Sequence, residues 1–368
     1  MNRVLVFGMT PNPGGVEKVI INYYRNIDRN TLQFDFLCNT HEKVAYEEEL
    51  LAMGGRTFHI TARSENRAVY KKQLEEVFAE HAKEWSAIWV NVSSLANIDY
   101  LKIAKKYGIS KRIIHSHNSR NMDSKLRGIL HYFNKNQIGK YATDFWACSG
   151  DAAKWFYNKR LINQAVIIRN AIDIDAMKFD GEKRNAIRAE HGWEDRYIIG
   201  NIGRLHFQKN QSFMIDVFQM YHQYYPESLL VIVGQGEDED MLRTKVKNYK
   251  LQNDVFFAGV QSDIQGWLSC FDLFLFPSVF EGLSVVALEA QGNGVPVLAS
   301  EGVIPGDVKM CRNFRFLSLE KGVNAWKEEI EKMRPLGREE YDSIKKNFVN
   351  KGFDIKTEAA KLQCRMVS

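Results

Sequence analysis

Short β-branched and aromatic runs alternate with amphipathic stretches from one end of the chain to the other, and the alternation is carried out twice. Arg3 to Phe7, Phe34 to Cys38, Arg56 to Ile60, Ala87 to Val92, Arg112 to His115, Asp144 to Cys148 and Val166 to Arg169 read as strands of a first half. Tyr197 to Ile202, Leu229 to Val233, Val255 to Phe257, Leu273 to Phe276, Val295 to Ala299 and Phe314 to Leu317 read as strands of a second. Such runs are nearly continuous in apolar residues, as strands are when helices cover both faces of a parallel sheet. At 368 residues the chain also exceeds the size at which one core keeps growing, so two α/β domains are expected. The charged stretch 173–195 has little strand character and reads as the linker between a domain at 1–172 and one at 196–350.

Composition narrows the class. No run reaches 18 apolar residues, and the opening Met1 to Phe7 is too short for a signal-peptide core before Gly8 and Pro11 interrupt it, so a cytoplasmic chain is expected. Five scattered cysteines without C-x-x-C spacing argue against a disulfide framework or zinc site. The net charge of +5 is mild but uneven: Lys102 to Tyr141 holds ten Lys and Arg against Asp123 alone. Interleaved with Tyr107, Tyr132, Phe133 and Tyr141, this segment suits an anionic membrane surface, and equally a solvated face balanced elsewhere.

In open α/β sheets, ligands gather where strands lead into helices, and every candidate motif lies in such a loop. Glu281 to Glu289 sets two carboxylates around Gly282, Leu283 and Ser284, whose amides are expected to open a helix running from Leu283 to Ala290. Carboxylate, phosphate site, carboxylate is an order that fits a sugar, its diphosphate and a ribose. Gly203-Arg204-Leu205 through Lys209-Asn210 brings a guanidinium fork and a point charge to the end of another strand, at a spacing suited to one diphosphate. Gly14 and Gly15 follow the first strand, and two adjacent glycines permit positive φ and close backbone approach, useful where a sugar diphosphate lies against the chain. Gly234-Gln235-Gly236 ends a further strand, and His115 and His117 share a strand face without an acid or cysteine to complete a metal site.

In this order, these segments resemble the retaining glycosyltransferases of family 4, whose B-type fold sets two Rossmann-like domains across a cleft. The Pro-Gly-Gly-Val-Glu run ending at Glu17 and the His-Ser-His-Asn run ending at Asn118 look like those of bacterial capsule and exopolysaccharide enzymes. The resemblance implies that Arg204 and Lys209 bind the donor diphosphate, that Glu289 holds the ribose, and that Glu281 contacts the transferred sugar beside Gly282, Leu283 and Ser284. It further implies that His117 reaches the sugar or departing phosphate, that Gly14, Gly15 and Gly234 line the donor, and that 351–368 is a terminal helix returning to the first domain. The implied reaction moves a hexose or N-acetylhexosamine, with retention, from a nucleotide sugar, UDP-linked, to a saccharide acceptor, and the basic segment Lys102 to Tyr141 points to a lipid-linked one. No cofactor, metal or nucleic acid is implied, and any membrane contact is peripheral. The Gly234-Gln235-Gly236 loop continues into Glu237 to Asp240, where many relatives have a proline, and Ser300 to Asp307 lacks their double glycine, which leaves 300–313 without a role. A nucleotide-sugar epimerase of the same fold and a non-catalytic partner in polysaccharide assembly are the alternatives.

Overall fold

The computed structural model describes residues 1–118, 125–281, 284–304 and 306–367. It divides into two compact units, Met1–Ala171 with Gly352–Ser368, and Ile172–Lys351. Each is a twisted parallel sheet covered by helices, so the repeated alternation of the sequence is the architecture.

In unit 1 the strands are β1 (Asn2–Phe7), β2 (Leu32–Cys38), β3 (Arg56–His59), β4 (Trp85–Val92), β5 (Lys111–Ser116), β6 (Asp144–Ala147) and β7 (Val166–Ile167). Their order is β3-β2-β1-β4-β5-β6-β7. β1 pairs in parallel with both β2 and β4, so the winding reverses there and a switch point opens at the carboxyl end of β1. Every residue of β2 is buried, because cores lie on both sheet faces. Asp35 of β2 is tolerated there because it accepts hydrogen bonds from Arg3 Nε (2.9 Å), Arg56 Nη2 (2.6 Å) and Trp85 Nε1 (2.9 Å). Burial by itself pushes its carboxyl up, but these donors outweigh burial and hold it at about 2. The helix Ile355–Val367 buries Ile355, Ala359, Leu362 and Met366 in the same core as Val19, Ile20 and Tyr23 of the helix Gly15–Asn26.

Unit 2 holds β8 (Tyr197–Ile202), β9 (Ser228–Val233), β10 (Val255–Gly259), β11 (Leu273–Phe276), β12 (Val297–Ser300) and β13 (Phe314–Leu317), ordered β10-β9-β8-β11-β12-β13. Its switch point lies between β8 and β11. The stretch 173–195, read from its charge as a linker, is instead built into this unit. Asp180 caps the helix Gly181–His191 by accepting from Glu182 N and Lys183 N, both at 3.0 Å. Arg184 and Arg188 of that helix turn inward and bind Asp272 at 2.6 and 2.7 Å. Arginines that satisfy buried carbonyls and a carboxylate look, in sequence, like solvent-facing charge. Among the described residues no helix is long and apolar enough to cross a membrane.

Candidate functional site

The reversal between β8 and β11 brings together two loops far apart in sequence. Asn210 adopts a left-handed turn at φ 57° and donates from Nδ2 to Pro277 O (3.1 Å); Gln208 Nε2 donates to Phe280 O (3.0 Å), and Val279 N donates to Gln208 O (2.8 Å). This seam sets Lys209 Nζ 2.6 Å from Glu281 Oε1, with the two side chains only 16% and 7% exposed. Lys209 also lies 5.2 Å from the Phe276 ring centroid. A buried ion pair is costly to desolvate unless its geometry is good, so its position at the switch point marks it as a site and not a surface accident.

Arg204 does not join that pair. Its Nη2 donates to Glu237 Oε2 at 2.6 Å, and the guanidinium is largely exposed. His206 Nε2 lies 3.2 Å from the other Glu237 oxygen. Glu237 thus holds Arg204 at the carboxyl end of the sheet, a role its sequence neighbours did not reveal. The helix after β11 begins at Val285 and runs to Asn293, later than expected, with Ser284 at its N-cap and Glu289 buried on it. Gly282 and Leu283 lie outside the described residues.

Gly234, at φ 134°, faces the Arg204 loop so closely that a β-carbon there would fall 2.1 Å from Gly203 O. Close approach is therefore what this glycine supplies, as it does at Gly236, where a β-carbon would fall 2.1 Å from Leu205 O.

The switch point of unit 1 has a different makeup. Gly14 sits at φ −115° and Gly15 opens the helix after β1, so neither uses the positive φ that glycine permits. Gly8 takes that turn at φ 138°, packed against Asn91. The Glu17 carboxylate instead fixes the loop, accepting from Gly14 N (3.0 Å) and Thr10 Oγ1 (2.5 Å). Glu17 stands three residues after Gly14, the spacing of a helix-start acid, and that spacing was the available signal. A cavity of about 320 Å³ at the carboxyl ends of β1, β2 and β4 is lined by residues that include Gly8, Thr10, Glu17, Asn39 and Asn91.

His117 lies beyond β5 with Nε2 2.8 Å from Asn91 Oδ1. The amide oxygen accepts, so Nε2 carries the proton and Nδ1 keeps a lone pair. Burial pushes the His117 imidazole down to about 3 and His115, wholly buried with its ring centroid 4.1 Å away, well below its usual range. Both rings stay neutral at pH 7. Below about pH 6.5 the unfolded chain takes up protons that these native rings refuse, so stability is full above that pH and falls as pH drops toward the native values. The expected slope is up to about 1.4 kcal/mol per pH unit for each histidine. Hydrogen exchange of β4 and β5 peptides at pH 7 and pH 5 measures it, with His117→Gln flattening the dependence; equal protection at both pH values contradicts it.

Comparison with known proteins follows the same division. The family model described as glycosyl transferases group 1 matches residues 183–347, which is almost all of unit 2. The chain is 27% identical to EpsF of Bacillus subtilis (strain 168), assigned as a glycosyltransferase, over 98% of this chain and 95% of that protein. It is 28% identical over 148 residues, 36% of each chain, to the UDP-Gal:alpha-D-GlcNAc-diphosphoundecaprenol alpha-1,3-galactosyltransferase of Escherichia coli. Among solved structures, HepE of Anabaena in complex with UDP superposes with a TM-score of 0.77 at 18% identity, each chain covered in full. The two parallel-sheet units are those of the B-type glycosyltransferase fold.

Proposed function

We propose that this protein is a retaining glycosyltransferase that moves a hexose or N-acetylhexosamine from a UDP-sugar to a lipid-linked saccharide acceptor in cell-surface polysaccharide synthesis. The observation that carries the reading is the enclosed Lys209–Glu281 pair at the switch point of the unit that the group 1 model matches, with Arg204 on the adjoining loop. In support, the galactosyltransferase of Escherichia coli is named for a UDP-sugar and a diphosphoundecaprenol acceptor, and HepE has been solved with UDP-glucose.

In the proposed step, the bond from the anomeric carbon to the β-phosphate oxygen breaks as the acceptor oxygen bonds the same carbon on the same face. The acceptor proton passes to the departing phosphate. Lys209 and Arg204 stabilise charge growing on the diphosphate, which needs no metal. Glu281 orients Lys209 through their ion pair and contacts sugar hydroxyls; Glu289 accepts from the ribose. His117 is assigned to the sugar or the departing phosphate, and Gly14, Gly15 and Gly234, with Gly282 to Ser284, to the donor.

A panel of nucleotide sugars scored for slow donor hydrolysis tests this without an acceptor. Release of UDP from UDP-hexose or UDP-N-acetylhexosamine is the expected result. Turnover of GDP- or ADP-sugars alone overturns the donor assignment, and an epimerised nucleotide sugar overturns the transferase reading.

A further inference from the structure

We propose that the outward face of the helix Lys125–Gln137 in unit 1 is a docking surface for an anionic lipid bilayer. The proposal deepens the lipid-linked acceptor reading and rests on it. A surface helix normally turns its apolar stripe to the core and its polar residues to water. This one is reversed. His131, Asn134 and Lys135 share one face by their spacing, and all three point into the protein. His131 Nδ1 accepts from Leu95 N (3.1 Å) while its ring stacks on Trp155 at 4.2 Å; Asn134 Nδ2 donates to Leu95 O (2.6 Å), and Lys135 Nζ to Trp155 O (2.5 Å).

The opposite face carries Leu126, Ile129, Tyr132 and Phe133, which are 68%, 54%, 67% and 60% exposed. At about 100° per residue, Ile129, Phe133 and Leu126 lie together within a third of a turn, with Tyr132 at their edge. A contiguous apolar patch of this kind on a charged protein marks a contact surface. Polar anchoring on the inner side fixes the helix with that patch outward, so solvent exposure is not a failure of packing.

The charge around the patch decides the occupant. Among the described residues of 102–118 and 125–141 there is no Asp or Glu; Arg120 and Asp123 lie outside them. Lys125 at the start of the helix and Lys140 just past its end are exposed, and Lys102 and Lys105 stand over the Tyr141 ring at 5.6 and 5.8 Å. A second copy docked through this helix by a twofold axis would set these cations against their own images, whereas anionic headgroups oppose them. Tyr132 and Phe133 between flanking lysines match a helix lying in the membrane interface.

The test floats the full chain with vesicles of phosphatidylcholine alone and of phosphatidylcholine with phosphatidylglycerol, about seven to three. The chain is expected to float with the mixed vesicles only, and less so as salt rises. Ile129→Ser with Phe133→Ser is expected to weaken partitioning by at least about tenfold, with melting and donor hydrolysis unchanged. Wild-type protein that stays with the pellet, or a double variant that floats equally well, overturns the proposal. So does a wild-type dimer that the double variant converts to monomer, which gives the face to a second copy. Vesicle binding without hydrolysis of any nucleotide sugar would instead remove the transferase reading and leave the docking surface standing.

Discussion

Lys209→Ala is expected to lower turnover of the nucleotide-sugar donor by about 10²- to 10³-fold, the scale on which removal of one charge-stabilising group slows a reaction that expels an anion. The same change strands Glu281, whose side chain is 7% exposed and has lost its 2.6 Å partner. A loss of stability, roughly 3 kcal/mol, therefore accompanies the loss of rate. Rate alone cannot separate a cation that stabilises the leaving diphosphate from one that merely holds a loop. The double variant Lys209→Met with Glu281→Gln does separate them, because it removes both charges while keeping volume. If the pair is only structural, the double variant recovers melting temperature and kcat together. If Lys209 acts on the diphosphate, melting recovers while kcat stays at the level of Lys209→Ala. Arg204→Ala provides the complement: its guanidinium is exposed and paired with the exposed Glu237, so it is expected to cost rate with almost no stability.

Central strands such as β2 and β9 were legible because they are buried throughout, which leaves few polar residues in the run and little else it can be. The neighbour relations were not. Nothing local in Lys209 or Glu281 says that β8 lies beside β11; that adjacency comes from the reversed winding, and it turns two residues 72 apart into a hydrogen-bonded pair. Arg204 and Lys209 were expected on one diphosphate from their spacing, yet in this structure each has a carboxylate of its own, Glu237 and Glu281. Glycines misled for a related reason. Gly14 and Gly15 drew notice as a doublet, while the turn at the end of β1 falls to Gly8, whose need is set by Asn91 on the neighbouring strand. The linker reading of 173–195 failed because composition counts Arg184 and Arg188 as charge, although their role is to satisfy carbonyls and Asp272 inside unit 2.

Gly236→Ala is expected to produce a second large effect without touching a charged group. The Arg204 backbone is gripped from both sides: Gly203 N donates to Val233 O (2.9 Å), Leu205 N to Gln235 O (3.0 Å), Asp238 N to Leu205 O (3.2 Å), and Gln211 Nε2 to Arg204 O (3.0 Å). A β-carbon at 236 would fall 2.1 Å from Leu205 O and 2.8 Å from Leu205 N, which are backbone atoms with no rotamer to yield. The Arg204 loop must then shift by about 1 Å, a misplacement that costs on the order of a hundredfold in kcat, with an overpacking loss of roughly 1–3 kcal/mol. Gly15→Ala is the informative contrast, since a β-carbon there meets nothing within 4 Å. At a helix start alanine is tolerated, so melting is expected to hold or rise by the few tenths of a kcal/mol that separate the two residues in a helix. Any fall in donor turnover in Gly15→Ala therefore reports a ligand lying against that backbone, because the folded protein itself leaves the space open. Wild-type kcat in Gly236→Ala would show that the position of the Arg204 loop is immaterial to the reaction, and the diphosphate role of Arg204 would go with it.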